Sequence, residues 1–397
     1  MGDQIRPFKI QVSDAELDDL KRRLCATRWP DKETVDDWSQ GVPLAYVKDV
    51  CRYWAEKYDW RKTEARLNAL PQFRTELDGL NIHFLHVRSP HQGALPLVMT
   101  HGWPGSIVEF LKVIPLLTDP TKHGGQASNA FHVVCPSLPG YGFSDKPAKK
   151  GWAVEKIAHA WSALMLRLGY NWYFAQGGDW GGAVTTAIGL QDTEHCRGVH
   201  LNMLIVRPDP ATMNDLTDEE RDGLAGMQYF QDWDSGYAKQ QSTRPQTIGY
   251  GLADSPAGQA AWILEKFCAW SDCHGNPENA LTRDEMLDDI MLYWLPNAAT
   301  ASARLYWESY NNFNYEPVQF PVGCSTFPKE IVRASRRWAE KRYQNLVYWN
   351  RLDCGGHFAA FEQPELFVKE LRACFRKMQG RVDKTNENED DPPNCHV

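Results

Sequence analysis

Apolar residues recur at helical spacing through the first 78 residues and then give way to short strand-like runs, a change of period that divides the chain. Ser13 and Glu16 stand at capping-box spacing ahead of Leu17, Leu20 and Leu24, with Pro30 beyond them, which predicts a first helix. Val47, Val50, Trp54 and Tyr58 share one face of a second amphipathic stretch, from about Leu44 to Trp60. Residues 1–78 are therefore expected to be a helical extension packed on a larger core, with no polar cluster of their own. From residue 79, strands are expected at Ile82–Val87, Leu95–Met99, His132–Cys135, Tyr173–Gln176 and Gly198–Met203, alternating with helical windows. That alternation predicts an α/β fold with a mostly parallel sheet. Two more strands, at Val322–Ser325 and Leu346–Trp349, follow a long gap rich in helical pattern, Trp and Tyr. The gap opens with Pro208 and Pro210 and closes with Pro317 and Pro321. An insertion of this kind is how such sheets build a lid over a pocket. The expected division is an extension at 1–78, a core at 79–206 and 317–380, a lid at 207–316 and a disordered acidic tail at 381–397.

Composition narrows the class without changing this picture. The chain has 397 residues, 43% of them hydrophobic, and a net charge of −8 with no basic run. Such a surface argues against nucleic acid or an anionic membrane as the main partner and favours a neutral small molecule. No apolar run approaches the ~18 residues of a membrane span, and the start lacks signal-peptide character, so a cytoplasmic location is expected. Ten scattered cysteines show no framework spacing, which points to reduced thiols. Cys268, Cys273 and His274 come nearest to a metal cluster but lack a four-ligand spacing, so no metal is expected.

The chemistry is carried by Gln176-Gly-Gly-Asp179-Trp-Gly-Gly182. It follows an apolar segment and precedes a helical one, as a nucleophile elbow does, but it carries aspartate where serine is usual. Glycines around an aspartate are in themselves an ordinary turn. As an elbow, they let the backbone crowd while lifting the central side chain into a pocket. A carboxylate attacking an ester would give an anhydride, a poor intermediate. Attack on a saturated carbon bearing a leaving group gives an alkyl ester that water can open, so an epoxide or alkyl halide is the expected substrate.

An elbow needs an acid after a late strand and a histidine near the last one. His357, in Cys354-Gly-Gly-His-Phe-Ala-Ala, fits the second role. Asp353, Glu330 and Glu308 all lie where the acid belongs; Glu330, just past the Val322–Ser325 strand, is the choice, with Asp353 as fallback. The loop His101-Gly-Trp-Pro-Gly-Ser106 is a turn that also offers an oxyanion donor, so the backbone N–H groups of Trp103 and Trp180 form the expected pair. The helix starting at Asp179 is expected to favour the ionised carboxylate.

Together with Pro136-Ser-Leu-Pro-Gly-Tyr-Gly-Phe-Ser-Asp145 and Gly355-Gly-His-Phe-Ala-Ala-Phe-Glu-Gln-Pro364, these motifs resemble the α/β-hydrolase-fold epoxide hydrolases. The microsomal-type branch is the nearer match. Its N-terminal extension is similar to residues 5–75, and the likeness runs to about residue 375, although the membrane anchor of the animal enzymes has no counterpart. The resemblance implies a fold with a central, mostly parallel sheet, a helical lid and the N-terminal extension. It also implies that two lid tyrosines, Tyr237 and Tyr306, hold the epoxide oxygen, and it favours Glu330 over Asp353. Tyr229 and Tyr250 lie close enough to Tyr237 to confuse that register. Trp103, Trp180 and Phe358 are expected to line the substrate pocket. The expected reaction forms a vicinal diol through an Asp179 ester, opened by water that His357 activates, with no cofactor. An epoxide and water are the expected partners; the oligomeric state is not legible in the sequence, although a homodimer is common among relatives. The rivals are a haloalkane or haloacid dehalogenase using the same nucleophile and a non-catalytic small-molecule binding protein on the same scaffold.

Overall fold

The computed structural model describes residues 4–389, with side chains to residue 380. Nine strands form one sheet among the described residues: β1 (Arg6–Pro7), β2 (Gln72–Leu77), β3 (Leu80–Val87), β4 (Leu95–Thr100), β5 (Phe131–Pro136), β6 (Tyr173–Gly177), β7 (Cys196–Leu201), β8 (Val322–Thr326) and β9 (Leu346–Arg351). Their order is β1-β2-β3-β5-β4-β6-β7-β8-β9. The pairs from β1 to β5 are antiparallel and all the others parallel. Central strands β4 and β6 are buried at every position, as expected of strands covered by helices on both faces. The chain leaves β4 toward β5 on one side and returns to β6 on the other. The crevice at the carboxyl ends of β4 and β6 is thus the switch point where such sheets bind ligands.

The first 78 residues are not purely helical. Both β1 and β2 join the sheet, and the boundary expected after residue 78 cuts a two-residue hairpin turn. Asp78 (φ 47°) and Gly79 (φ 81°) both lie in the left-handed region there. Asp-Gly is the residue pair such a turn demands, a signal that the surrounding helical pattern masked. The expected capping box is present, Ser13 and Glu16 bonding reciprocally at the start of the helix Asp14–Cys25. The second stretch is two helices, Leu44–Glu56 and Trp60–Asn68, because Asp59 starts the latter by accepting from Arg61 N–H.

These helices pack against the lid rather than only on the core. Tyr58 Oη (2.7 Å), Thr63 Oγ1 and Arg66 all donate to Asp288 on the lid helix Arg283–Trp294. Arg23 donates to Asp254 (2.9 Å) and Tyr53 to Asp284 (2.7 Å). A polar cluster does therefore exist in the extension, and it clamps the lid. The lid itself runs between β7 and β8, with long helices Pro256–Trp270, Arg283–Trp294 and Ala299–Ser309. The last helix spans Pro364–Glu389 and so includes residues 381–389, expected to begin the tail. No proline interrupts it before Pro392, so nothing in the sequence stops the helix at residue 380. Residues 390–397 of that expected tail lie outside the described residues. Among the described residues, no helix is long and apolar enough to cross a membrane, and no cluster of three or more His, Cys, Asp or Glu could hold a metal.

Candidate active site

The turn after β6 is built by close backbone approach. A Cβ added at Gly177 would overlap the Gly181 carbonyl, and one at Gly181 would overlap the Thr100 carbonyl of β4. Crowding of this kind leaves Asp179 at φ 49°, a left-handed conformation that costs a non-glycine residue about 1–3 kcal/mol and clusters at functional sites. The helix Asp179–Gln191 starts there, so the carboxylate stands at the crevice between β4 and β6.

Trp103 N–H donates to Asp179 Oδ1 (2.8 Å), and Trp180 N–H bonds the same carboxylate. The loop that presents Trp103 is fixed by His101. Burial pushes that imidazole down to about 4, so it is neutral near pH 7. Leu138 N–H donates to its Nε2 (3.2 Å), leaving Nδ1–H for the Gly102 carbonyl (3.0 Å). Tyr293 of the lid ties down the same loop, donating to the Gly105 carbonyl (2.7 Å).

His357 and Glu330 meet below the carboxylate. Nδ1 of His357 lies 2.7 Å from Glu330 Oε1, and its Nε2 lies 3.6 Å from Asp179 Oδ2. Both residues are buried. Glu330 Oε1 also accepts from Ile331 N–H (2.7 Å), which aims the carboxylate at the imidazole. Asp353, the fallback acid, is exposed, and Glu308 instead accepts from Gly151 N–H (2.8 Å). The lid holds His357 from above: the Trp270 carbonyl accepts its backbone N–H (2.9 Å), and the Trp270 ring packs edge-on at 5.0 Å. Nothing in the local sequence marks Trp270.

Burial and neighbouring charge both shift the nucleophile and the base. Burial pushes the Asp179 carboxyl up from its ordinary value, while His357 and the N–H groups of Trp103 and Trp180 pull it back only in part. The expected help from the helix start is thus outweighed by desolvation. Burial alone would push His357 down, but Glu330 first, then Asp179 and Glu109, more than offset it and hold the imidazole at about 9.

Tyr237 and Tyr306 converge on this site from two lid helices. The Tyr237 ring stacks on Trp103 (4.7 Å, 8° between planes), and Tyr306 stands edge-on to both Trp103 (5.9 Å) and Trp180 (4.8 Å). The two phenol rings are 5.8 Å apart. Burial pushes both hydroxyls well above 10, so both remain donors. A π-helical turn, Phe230–Asp234, sets the register of Tyr237, while Tyr229 and Tyr250 are 64% and 71% exposed and face away from any enclosed site. Behind Tyr237, the Lys266 ammonium lies 4.6 Å from the ring and pairs with Asp234 (2.6 Å). Phe358 is buried against Phe267 (4.8 Å) and lines a small cavity beside Asp179 and His357. The nine described cysteines are all free.

The sequence matches the family described as epoxide hydrolase N terminus over residues 5–110 and that described as alpha/beta hydrolase fold over residues 96–247. It is 59% identical over 378 residues to a Stigmatella aurantiaca protein provisionally named an epoxide hydrolase, covering 95% of this chain and 86% of that one. Against epoxide hydrolase 1 of Sus scrofa, identity is 38% over 400 residues, covering 93% of this chain and 88% of the other. The crystal structure of juvenile hormone epoxide hydrolase from the silkworm Bombyx mori superposes with a TM-score of 0.88 at 32% identity, covering 96% of each chain.

Proposed function

Because the chain belongs to the epoxide hydrolase family of the α/β-hydrolase fold, we propose that it converts an epoxide to a vicinal diol in two steps through an ester on Asp179. In the first step Asp179 attacks a ring carbon, the C–O bond breaks, and Tyr237 and Tyr306 donate to the oxygen as its basicity rises. In the second, His357 takes a proton from water, and the water oxygen bonds to Cγ of the ester. The resulting oxyanion is held by Trp103 and Trp180 N–H. Collapse breaks the bond from Cγ to the alkyl oxygen, the imidazolium gives its proton to the departing diol, and the proton left on the Asp179 carboxyl passes to His357, restoring the starting state. Glu330 fixes the imidazole tautomer and stabilises its charge.

The observation that carries this reading over a dehalogenase is the pair of buried, protonated phenols packed around Trp103, whose N–H holds the nucleophile. A departing halide needs no proton donor, whereas an alkoxide does. One feature favours the rival: Trp180 Nε1 is buried beside the nucleophile with only the Tyr306 hydroxyl to meet it, a place where a halide-binding indole would stand. Assaying diol formation from styrene oxide beside halide release from a bromoalkane separates the two. Diol formation that is lost in Asp179→Ala supports the proposal, and halide release without diol formation overturns it. We also propose a cytoplasmic location from the sequence, and a homodimer from what is common among relatives.

A further inference from the structure

One enclosed acid takes no part in these steps. A cavity of about 20 Å³, room for roughly one water, lies against Asp179 and His357 and is lined also by Gln176, Asn202 and Glu109. Tyr237 and Tyr306 are not among its lining residues, so it opens on the core side of the nucleophile rather than on the side of the phenols. Gln176 Nε2 donates to Asn202 Oδ1 (2.9 Å), which leaves Gln176 Oε1 buried with no hydrogen-bond partner. Such an atom in a small polar cavity points to an ordered water.

Glu109 reaches this cavity from the single turn Ile107–Phe110, whose first residue follows Ser106. Its carboxyl lies against Gly105, where an added Cβ would collide with it, so the glycine makes room for the acid. A Ser106–Glu109 spacing reads as a capping box, and Ser106 N–H does bond the Glu109 carboxyl. The same side chain, however, lines the cavity with Asp179 and His357 and also feels the charge of Asp289. Burial first, then the charge of Asp289, pushes its carboxyl well above the ordinary carboxylate range, with His357 pulling it back in part.

We propose that Glu109 is a positioning residue for the hydrolytic water, a role that rests on the ester mechanism above. Before alkylation, the imidazolium Nε2–H donates to the water, whose two O–H groups go to Glu109 and Gln176 Oε1. Once Asp179 is esterified and the imidazolium has passed its proton, through the phenols, to the ring-opened oxygen, the water turns one O–H to the neutral Nε2 and keeps the other on Glu109. Its oxygen then faces Cγ of the ester. As the O–Cγ bond forms, the proton passes to Nε2, and the hydrogen held by Glu109 stays on the oxygen.

The test is single-turnover stopped-flow with styrene oxide on the full chain, resolving ester formation from ester hydrolysis. Glu109→Leu leaves alkylation within about twofold and slows hydrolysis about 10- to 100-fold, the cost of a misplaced reactant. Glu109→Gln, whose amide carbonyl still accepts the water's hydrogen, stays within about threefold of wild type in both steps. Glu109→Ala, which leaves space instead of bulk, repeats the test if the leucine variant does not fold. Equal slowing of both steps in the leucine and alanine variants makes Glu109 a structural cap only and overturns the proposal. So does wild-type hydrolysis in those variants, or a Gln variant as slow as they are. Failure to detect any ester in the wild-type enzyme overturns the underlying mechanism instead, and so is distinguishable.

Discussion

Glu330→Gln removes one charge from the centre of the site while keeping its shape. In the intact protein His357 is held at about 9 against an ordinary 6.5, with Glu330 the largest of the groups raising it. That rise corresponds to about 3 kcal/mol in favour of the imidazolium, at about 1.4 kcal/mol per tenfold. Water deprotonation creates an imidazolium, so most of this stabilisation is absent from the variant's transition state. The Gln amide also turns an N–H toward Nδ1, favouring the tautomer whose Nε2 carries the proton and cannot accept another. Ester hydrolysis is therefore expected to fall by at least about 10²-fold. Alkylation draws on Asp179, the two phenols and the N–H groups of Trp103 and Trp180, none of which is replaced, so it is expected to stay within about fivefold and the ester accumulates. The indoles of Trp103 and Trp180 flank the nucleophile, and their fluorescence follows both phases in stopped-flow. Asp353→Asn serves as the control and changes neither phase, since Asp353 is exposed. Wild-type hydrolysis in Glu330→Gln, or an equal loss in both phases, would refute this reasoning.

Replacing either Tyr237 or Tyr306 with Phe removes one charge-assisted hydrogen bond worth about 1.5–3 kcal/mol, so alkylation slows roughly 10- to 100-fold while hydrolysis of preformed ester is unchanged. The two rates, measured separately, check this. Alkylation cancels the Asp179 charge that helps to hold His357 at about 9, so the imidazole drops below that value in the ester. Hydrolysis needs the neutral base and therefore rises with pH through a midpoint below 9; a hydrolysis rate that falls as pH rises contradicts the assignment. Asp288→Ala strips the acceptor from Tyr58, Thr63 and Arg66 and is expected to lower Tm by several degrees in calorimetry, with the sheet intact by circular dichroism.

What could be read from the sequence follows the range of the interactions involved. Gly177, Asp179 and Gly181 are legible because an elbow is a local backbone problem with few solutions, and the glycines around His357 have the same local character. Glu330 is preferred to Asp353 by its place just past a strand and by the family resemblance, and tertiary structure adds that Glu330 turns inward while Asp353 is exposed. The lid tyrosines came from family resemblance, since which phenol faces a pocket depends on helix packing that no local pattern encodes. Asp78-Gly79 is a hairpin signal that the helical pattern of the extension masks, and β2 does little to reveal it because its partly exposed polar residues lack the clean alternation of a strand. Glu109 was hidden by its second role, because capping-box spacing makes it look like a surface acid. The acceptor role of Asp288 lies more than 200 residues from its donors, beyond any local reading.

The account depends on a carboxylate oxygen passing into the product. A single turnover in ¹⁸O-enriched water, followed by mass analysis of the diol and of the peptide containing Asp179, addresses this directly. The expected first diol carries no solvent oxygen, while the peptide gains one ¹⁸O that appears in diol only on later turnovers. Label in the first diol with none in the peptide would mean that water attacks the epoxide directly.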